Sequence, residues 1–171
     1  MMRLNSYQRT GVLNKAELKR RGLIPSLERL RTGPVVIVEC IENIPCNPCA
    51  DACPRQAITI EGGLTERPQV DFNRCNGCGI CVARCPGLAI FVVNYAYSKT
   101  EATVTLPYEI LPRPEVGENV AAVNRQGKKV CDARVVKVLD SKGLDRCAIV
   151  TVAVPKSFWN DVRGIVLRRR K

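Results

Sequence analysis

The chain has 171 residues, 46% of them hydrophobic and 25% charged, which excludes intrinsic disorder and collagen-like architecture and leaves room for one domain or two small ones. No apolar run approaches the roughly 20 residues that a membrane helix needs; the longest, Cys147 to Val154, spans eight residues and contains a threonine. The net charge of +11 is uneven: +6 over residues 1–34, −2 over 35–95 and +7 over 96–171.

Residues 1–33 read as a basic N-terminal arm. Arg3, Arg9, Lys15, Lys19, Arg20, Arg21, Arg29 and Arg31 fall where a signal peptide needs an unbroken apolar core, so a cytoplasmic location is expected. Asn14 with Glu17 three residues on is a capping-box pattern, and Gly22 supplies a stop, predicting a short helix over Lys15 to Arg21. A second short helix can start at Ser26. Neither buries much alone, which leaves an arm packed on its own chain, an arm packed on a partner subunit, or a solvated tail.

Ten cysteines accompany no histidine. That removes mixed cysteine–histidine zinc sites, Rieske centres, histidine-ligated haem and any histidine general base. Eight of the ten lie between Cys40 and Cys85. The later group reads Cys75-Asn-Gly-Cys78-Gly-Ile-Cys81-Val-Ala-Arg-Cys85-Pro86. The earlier reads Cys40-Ile-Glu-Asn-Ile-Pro-Cys46-Asn-Pro-Cys49-Ala-Asp-Ala-Cys53-Pro54. A shift of 32 residues lays Cys46, Cys49, Cys53 and Pro54 on Cys78, Cys81, Cys85 and Pro86, and Ala57-Ile58 on Ala89-Ile90. Each half therefore reads as a ligand loop, a helical turn and a strand. One position breaks the repeat: Asn43 stands opposite Cys75, and a thiol sits three residues earlier at Cys40. Disulfides suit a chain without export signals poorly, and zinc knuckles need pairs of pairs, whereas a triplet plus cysteine-proline, duplicated with one displacement, uses eight thiols.

The segment Val35 to Val93 resembles the bacterial-type ferredoxins with two [4Fe–4S] clusters, whose C-x2-C-x2-C-x3-C-P run the later group matches at every defining position. The resemblance implies a pseudo-two-fold dicluster unit over residues 34–95, in which the fourth cysteine of each loop serves the other cluster. Carried onto this sequence, it gives cluster I on Cys40, Cys46, Cys49 and Cys85, and cluster II on Cys75, Cys78, Cys81 and Cys53. Cys40 takes the vacant corner of cluster I if the loop from Cys40 to Cys46 bulges outward; a three-iron cluster or a non-cysteine fourth ligand are the alternatives. Pro34 to Glu39 reads as an opening strand paired with Ala89 to Val93, and Glu61 to Val70 as a surface hairpin and connection.

Residues 96–114 read as a linker and strand, with Pro107 to Pro114 as the linker proper. Residues 115–171 read as a small β-barrel-like docking domain with a basic tail. Thr103–Leu106, Asn119–Val123, Lys129–Leu139 and Cys147–Val154 are predicted strands, with turns at Asn124–Gly127 and Asp140–Asp145. Pro155 and Ser157 to Arg163 read as a closing helical turn carrying Phe158, Trp159 and Val162. Cys131 and Cys147 sit on apolar strands and read as core cysteines, and Trp159 as a core or interface anchor. The fold class expected is α+β: the dicluster unit, then a small all-β barrel-like domain, preceded by a short helical arm. The barrel is expected to dock partners and to take no share in cluster assembly.

The whole arrangement resembles the iron–sulfur subunits that accompany flavin-dependent dehydrogenases of amino, imino or hydroxy acids in anaerobic bacteria and archaea. That implies FAD-containing partner subunits, a small [2Fe–2S] protein as a further candidate, and a hetero-oligomer. The chain offers no evident nucleophile, base or substrate pocket, so the expected role is a non-catalytic electron-transfer subunit. Two other readings stand beside it. A nucleic-acid-associated iron–sulfur protein would use the barrel and Arg168–Lys171, but the chain has three Phe, four Tyr and one Trp and lacks an aromatic-glycine recognition signature. A free low-potential ferredoxin fits poorly with a holo-protein charge of roughly +7, two oxidised clusters contributing about −2 each.

Overall fold

The computed structural model describes residues 6–63, 65–144 and 147–167. Arg3, Leu64, Asp145 and the Arg168–Lys171 tail, which figure in the expectations above, lie outside the described residues.

Three short helices form the arm: α1 (Ser6–Thr10), α2 (Lys15–Arg20) and α3 (Leu27–Arg31). The capping box forms, with Asn14 Oδ1 accepting from the Glu17 N–H at 2.9 Å and Glu17 Oε2 accepting from the Asn14 N–H at 3.2 Å. Ser26 caps α3. The arm packs on its own chain. Leu18 is fully buried in a small cluster with Leu13 and Ile41, and Leu30 is fully buried in the main core. Helices this short are marginal in isolation, and their burial supplies what propensity does not.

The next elements are β1 (Val35–Val38), α4 (Pro48–Asp51), β2 (Ile58–Thr59), β3 (Gln69–Val70), α5 (Ile80–Arg84) and β4 (Ile90–Asn94). Their starts keep the 32-residue spacing, α4 to α5 and β2 to β4. β1 pairs antiparallel with β4, and β2 with β3. Gln56 and Leu88, again 32 apart, both adopt left-handed backbone angles with φ near +50°. Each follows a cysteine-proline and turns the chain back toward the thiol.

Then come β5 (Glu101–Tyr108), β6 (Asn119–Val123), β7 (Lys129–Leu139), β8 (Ala148–Pro155) and β9 (Gly164–Val166). All but β2 and β3 form one seven-stranded sheet in the order β1-β4-β5-β8-β7-β6-β9. This differs from a ferredoxin unit and a barrel joined by a linker. β5 contains the expected strand Thr103–Leu106 and runs on through Pro107 and Tyr108 of the expected linker, pairing with β4 from Thr103 to Thr105 and with β8 along its whole length. Pro107, which marks that region as linker in the sequence, lies beyond the last residue that β4 pairs, so its missing N–H leaves no β4 ladder bond unmade. The closing turn is a 3₁₀ turn at Lys156–Phe158 followed by a hydrogen-bonded turn through Asp161.

Alternation along β1 and β4 explains why every residue of β1 is buried. Val35, Ile37, Phe91 and Val93 join the core shared with Val104, Val120, Val135, Val152 and Ile165. Val36, Val38, Ile90 and Val92 face the opposite way, against Cys49, Cys81, Val82 and Ile58. Ile149 of β8 belongs to this second cluster too, so β8 packs directly against the cysteine-bearing unit.

Candidate metal centres

The eight cysteines from Cys40 to Cys85 divide between two cavities. One is lined by Cys40, Cys46, Cys49 and Cys85 and walled by Val38, Ile44 and Ile90. The other is lined by Cys53, Cys75, Cys78 and Cys81 and walled by Val36, Ile58 and Val92. Each takes three thiols from one loop and one from the other. Cys40 lines the first cavity from the end of β1. Asn43 does not line it; its exposed side chain accepts from Arg67 Nε at 3.0 Å.

Local geometry aims these thiols. α4 and α5 are single turns that carry Cys49 and Cys81 inward, each 7% exposed and part of the same apolar cluster. Gly77 has φ +69°, and a Cβ there would come within 2.5 Å of Pro34 Cβ, so the second loop runs tightly against the start of β1. Backbone amides of both halves point at sulfur. Ala57 N–H donates to Cys53 Sγ at 3.3 Å and Ala89 N–H to Cys85 Sγ at 3.4 Å, a pair again related by 32 residues. Val36 and Gly77 both donate to Cys75 Sγ, at 3.4 and 3.3 Å. Such amides are the standard means by which a protein tunes thiolate-bound iron.

Burial, then the neighbouring thiols, pushes Cys49 up to about 11 and Cys81 up to about 12, and raises Cys40 in the same direction. Without a positive ion between them these thiols keep their protons, so metal loading must release protons. Among the described residues no three Cys, Asp or Glu side chains converge closely enough to hold a single metal ion. The thiols surround a volume, and four soft sulfur donors around an apolar cavity fit an iron–sulfur cluster.

Arginines from the flanking segments grip both sites. Arg29 of α3 donates to the carbonyls of Phe72 at 2.6 Å, Pro34 at 3.1 Å and Cys75 at 2.6 Å, pinning the loop that carries Cys75. Next to Cys40, Glu39 takes a bidentate pair from Arg125, 2.8 and 2.6 Å, and a third bond from Arg163 Nε at 2.7 Å. Desolvation pushes the Glu39 carboxyl up, but the two guanidiniums outweigh it and its pKa ends below the ordinary carboxylate value. None of these arginines is legible as a site residue in the sequence. The available signal was Glu39, a carboxylate closing a wholly apolar strand, which demands a buried cation.

Cys131 and Cys147 join neither cavity. Cys147 is 4% exposed, and Cys131 is partly buried against the main core. Burial raises the pKa of both thiols.

Residues 39–89 match the family model of the 4Fe-4S dicluster domain. The chain is 43% identical over 60 residues to the ferredoxin-type protein NapF of Haemophilus influenzae, covering 32% of this chain and 34% of that protein. It is 41% identical over 61 residues to an uncharacterized ferredoxin of Methanocaldococcus jannaschii, 36% of each chain. It is 38% identical over 52 residues to pyruvate synthase subunit PorD of Methanothermobacter marburgensis, 30% of this chain and 53% of that one. The matched region thus spans about a third of the length of the first two relatives. No solved structure matches the chain. The cysteine-bearing unit is a ferredoxin-type 4Fe-4S dicluster domain.

Proposed function

We propose that the chain is a non-catalytic electron-transfer subunit that relays single electrons between a FAD-containing dehydrogenase subunit and an acceptor. Cys40, Cys46, Cys49 and Cys85 hold cluster I, and Cys75, Cys78, Cys81 and Cys53 hold cluster II. The observation that supports this reading is the division of eight thiols into two four-thiol cavities with one exchange between loops. When bound, each [4Fe–4S] cluster supplies one-electron redox chemistry at a potential within a range of roughly −700 to +450 mV.

The chain's own residues supply the rest. Cys49 of the first cavity and Cys81 of the second belong to one apolar cluster, which joins the two sites. Cys78 is exposed and gives cluster II an opening to a partner. Amides of Ala57, Ala89, Val36 and Gly77 stabilise charge on sulfur. A subunit role, in a cytoplasmic hetero-oligomer with a flavoprotein and a small [2Fe–2S] protein as candidate partners, suits the exposed Ile110, Leu111 and Val166 around an apolar groove near the C-terminus better than a free carrier would. No helix among the described residues is long and apolar enough to cross a membrane.

The test is anaerobic capture of the native protein from its source extract. A yellow flavoprotein that bleaches on adding an amino, imino or hydroxy acid supports the proposal. A monomer without flavin makes it a free ferredoxin, and salt-dependent binding to generic DNA or RNA without flavin moves it to the nucleic-acid reading.

A further inference from the structure

We propose that the buried Arg125–Glu39–Arg163 group sets the reduction potential of the cluster held by Cys40, holding it above the value that four thiolates alone would give. The inference rests on the assignment of Cys40 to cluster I made above.

Glu39, Arg125 and Arg163 have side-chain exposures of 8%, 12% and 4%. Two cations share one anion, so the group carries one surplus positive charge. Both arginines also bond Asn160: Arg125 Nη1 donates to the Asn160 carbonyl at 2.9 Å and Arg163 Nη2 to Asn160 Oδ1 at 3.1 Å. The further carboxylate that acts on Arg163, Asp161, is itself balanced by Lys15 at 2.7 Å. The Arg163 guanidinium lies 4.9 Å above the Phe91 ring, and Arg163 also donates to the carbonyls of Trp159 and Val162. Burial pulls its pKa down only to about 10, so the charge persists at neutral pH. Glu39 precedes Cys40 in the chain, and Glu39, Cys40, Arg125 and Arg163 line one groove.

Adding an electron to a cluster adds negative charge, and a buried cation favours the reduced form more than the oxidised one. The carboxylates at the rim of the same cavity, Glu42 and Glu66, act with opposite sign, but both are exposed and screened by solvent and salt. At the second cavity the cations are Arg55, exposed at its rim, and Arg29, which binds the Cys75 carbonyl; neither bonds Glu39.

The group allows charge to be changed in steps. Arg163→Met or Arg125→Met leaves a neutral pair, and the double variant Glu39→Gln/Arg163→Met restores the surplus of one. In an anaerobic redox titration followed by electron paramagnetic resonance, either single variant should lower one of two midpoints by on the order of tenfold in the oxidised-to-reduced ratio, 59 mV per tenfold for one electron. The other midpoint should stay, and the double variant should return the shifted one toward its original value. The shifted midpoint should be the one that is missing from Cys40→Ser. The proposal is overturned if the midpoints stay in fully iron-loaded variants, if both move together, or if the double variant stays low. Should Arg163→Met not load iron, the less buried Arg125→Met decides. Failure of the cysteine assignment would show separately, as a Cys40→Ser protein with full iron and both midpoints unchanged.

Discussion

Cys53 and Cys85 have exchanged cavities: each leaves the loop that carries it and lines the cavity of the other half. Both accept an N–H from the residue four positions on, Ala57 and Ala89, so the exchange is built into the same turn in each half. Cys40→Ser and Cys85→Ser should therefore damage the same paramagnetic signal although they lie in different loops. Iron should fall from about eight to about four per chain in each. Asn43→Ser should leave iron content unchanged, because Asn43 binds Arg67 and does not line the cavity. Loss of different signals from Cys40→Ser and Cys85→Ser would refute the exchange.

Gly77 tests how closely the second loop must approach β1. Alanine there would drive a Cβ to 2.5 Å from Pro34 Cβ and 2.9 Å from the Pro34 carbonyl carbon, in a left-handed conformation. Gly79 has φ +82° but open space around a built Cβ. Gly77→Ala should displace Cys75 and abolish the signal of cluster II. Gly79→Ala should retain it and lose only about 1 kcal/mol to backbone strain. Equal iron loading in the two variants would contradict this account.

Much of the dicluster unit was legible because its constraints are local: cysteine spacing, the 32-residue repeat and the Asn14–Glu17 cap all appear within a few residues of where they act. The relation between the units was not. Pro107 signals a break when read alone, and only the end of β4 pairing at Thr105 makes it acceptable inside β5. Ile149 reads as one more residue of an apolar strand, and nothing in its neighbours indicates that it faces Cys49 and Cys81. Glu39 and Arg163 are 124 residues apart, and their pairing is a property of the sheet's two ends.

Glu17 joins two helices of the arm, its Oε1 accepting from the Tyr7 N–H at 3.1 Å while Oε2 closes the capping box with Asn14. The Tyr7 bond is the largest influence on the Glu17 carboxyl, and its pKa lies below the ordinary 4.5. A lowered carboxylate stabilises the fold above its unfolded pKa and loses that contribution as pH falls through the folded value. Hydrogen-exchange protection of the Tyr7 and Asn14 amides should hold from pH 7 to about 4.5 and decline below it. In Glu17→Gln it should be low throughout. Protection in Glu17→Gln equal to that of the unaltered chain would remove the carboxylate from this role.

The C-terminal strands should matter for holding iron, contrary to a barrel that only docks partners. Ile149 is 5% exposed and packs in the cluster containing Cys49, Cys81, Val82 and Ile90. Truncating it to alanine removes apolar contact on the side of the cysteine unit opposite to solvent, and a buried isoleucine truncated in this way costs about 2–5 kcal/mol. Ile149→Ala should therefore lower the denaturation midpoint and speed loss of the visible iron–sulfur absorbance under chelator. Cys131→Ala removes a thiol that lines neither cavity and is already partly exposed, so its iron content and loss rate should match the unaltered protein. If Ile149→Ala lost iron no faster than Cys131→Ala, the shared apolar cluster would contribute nothing to cluster retention, and the seven-stranded sheet would divide functionally where the sequence places its linker.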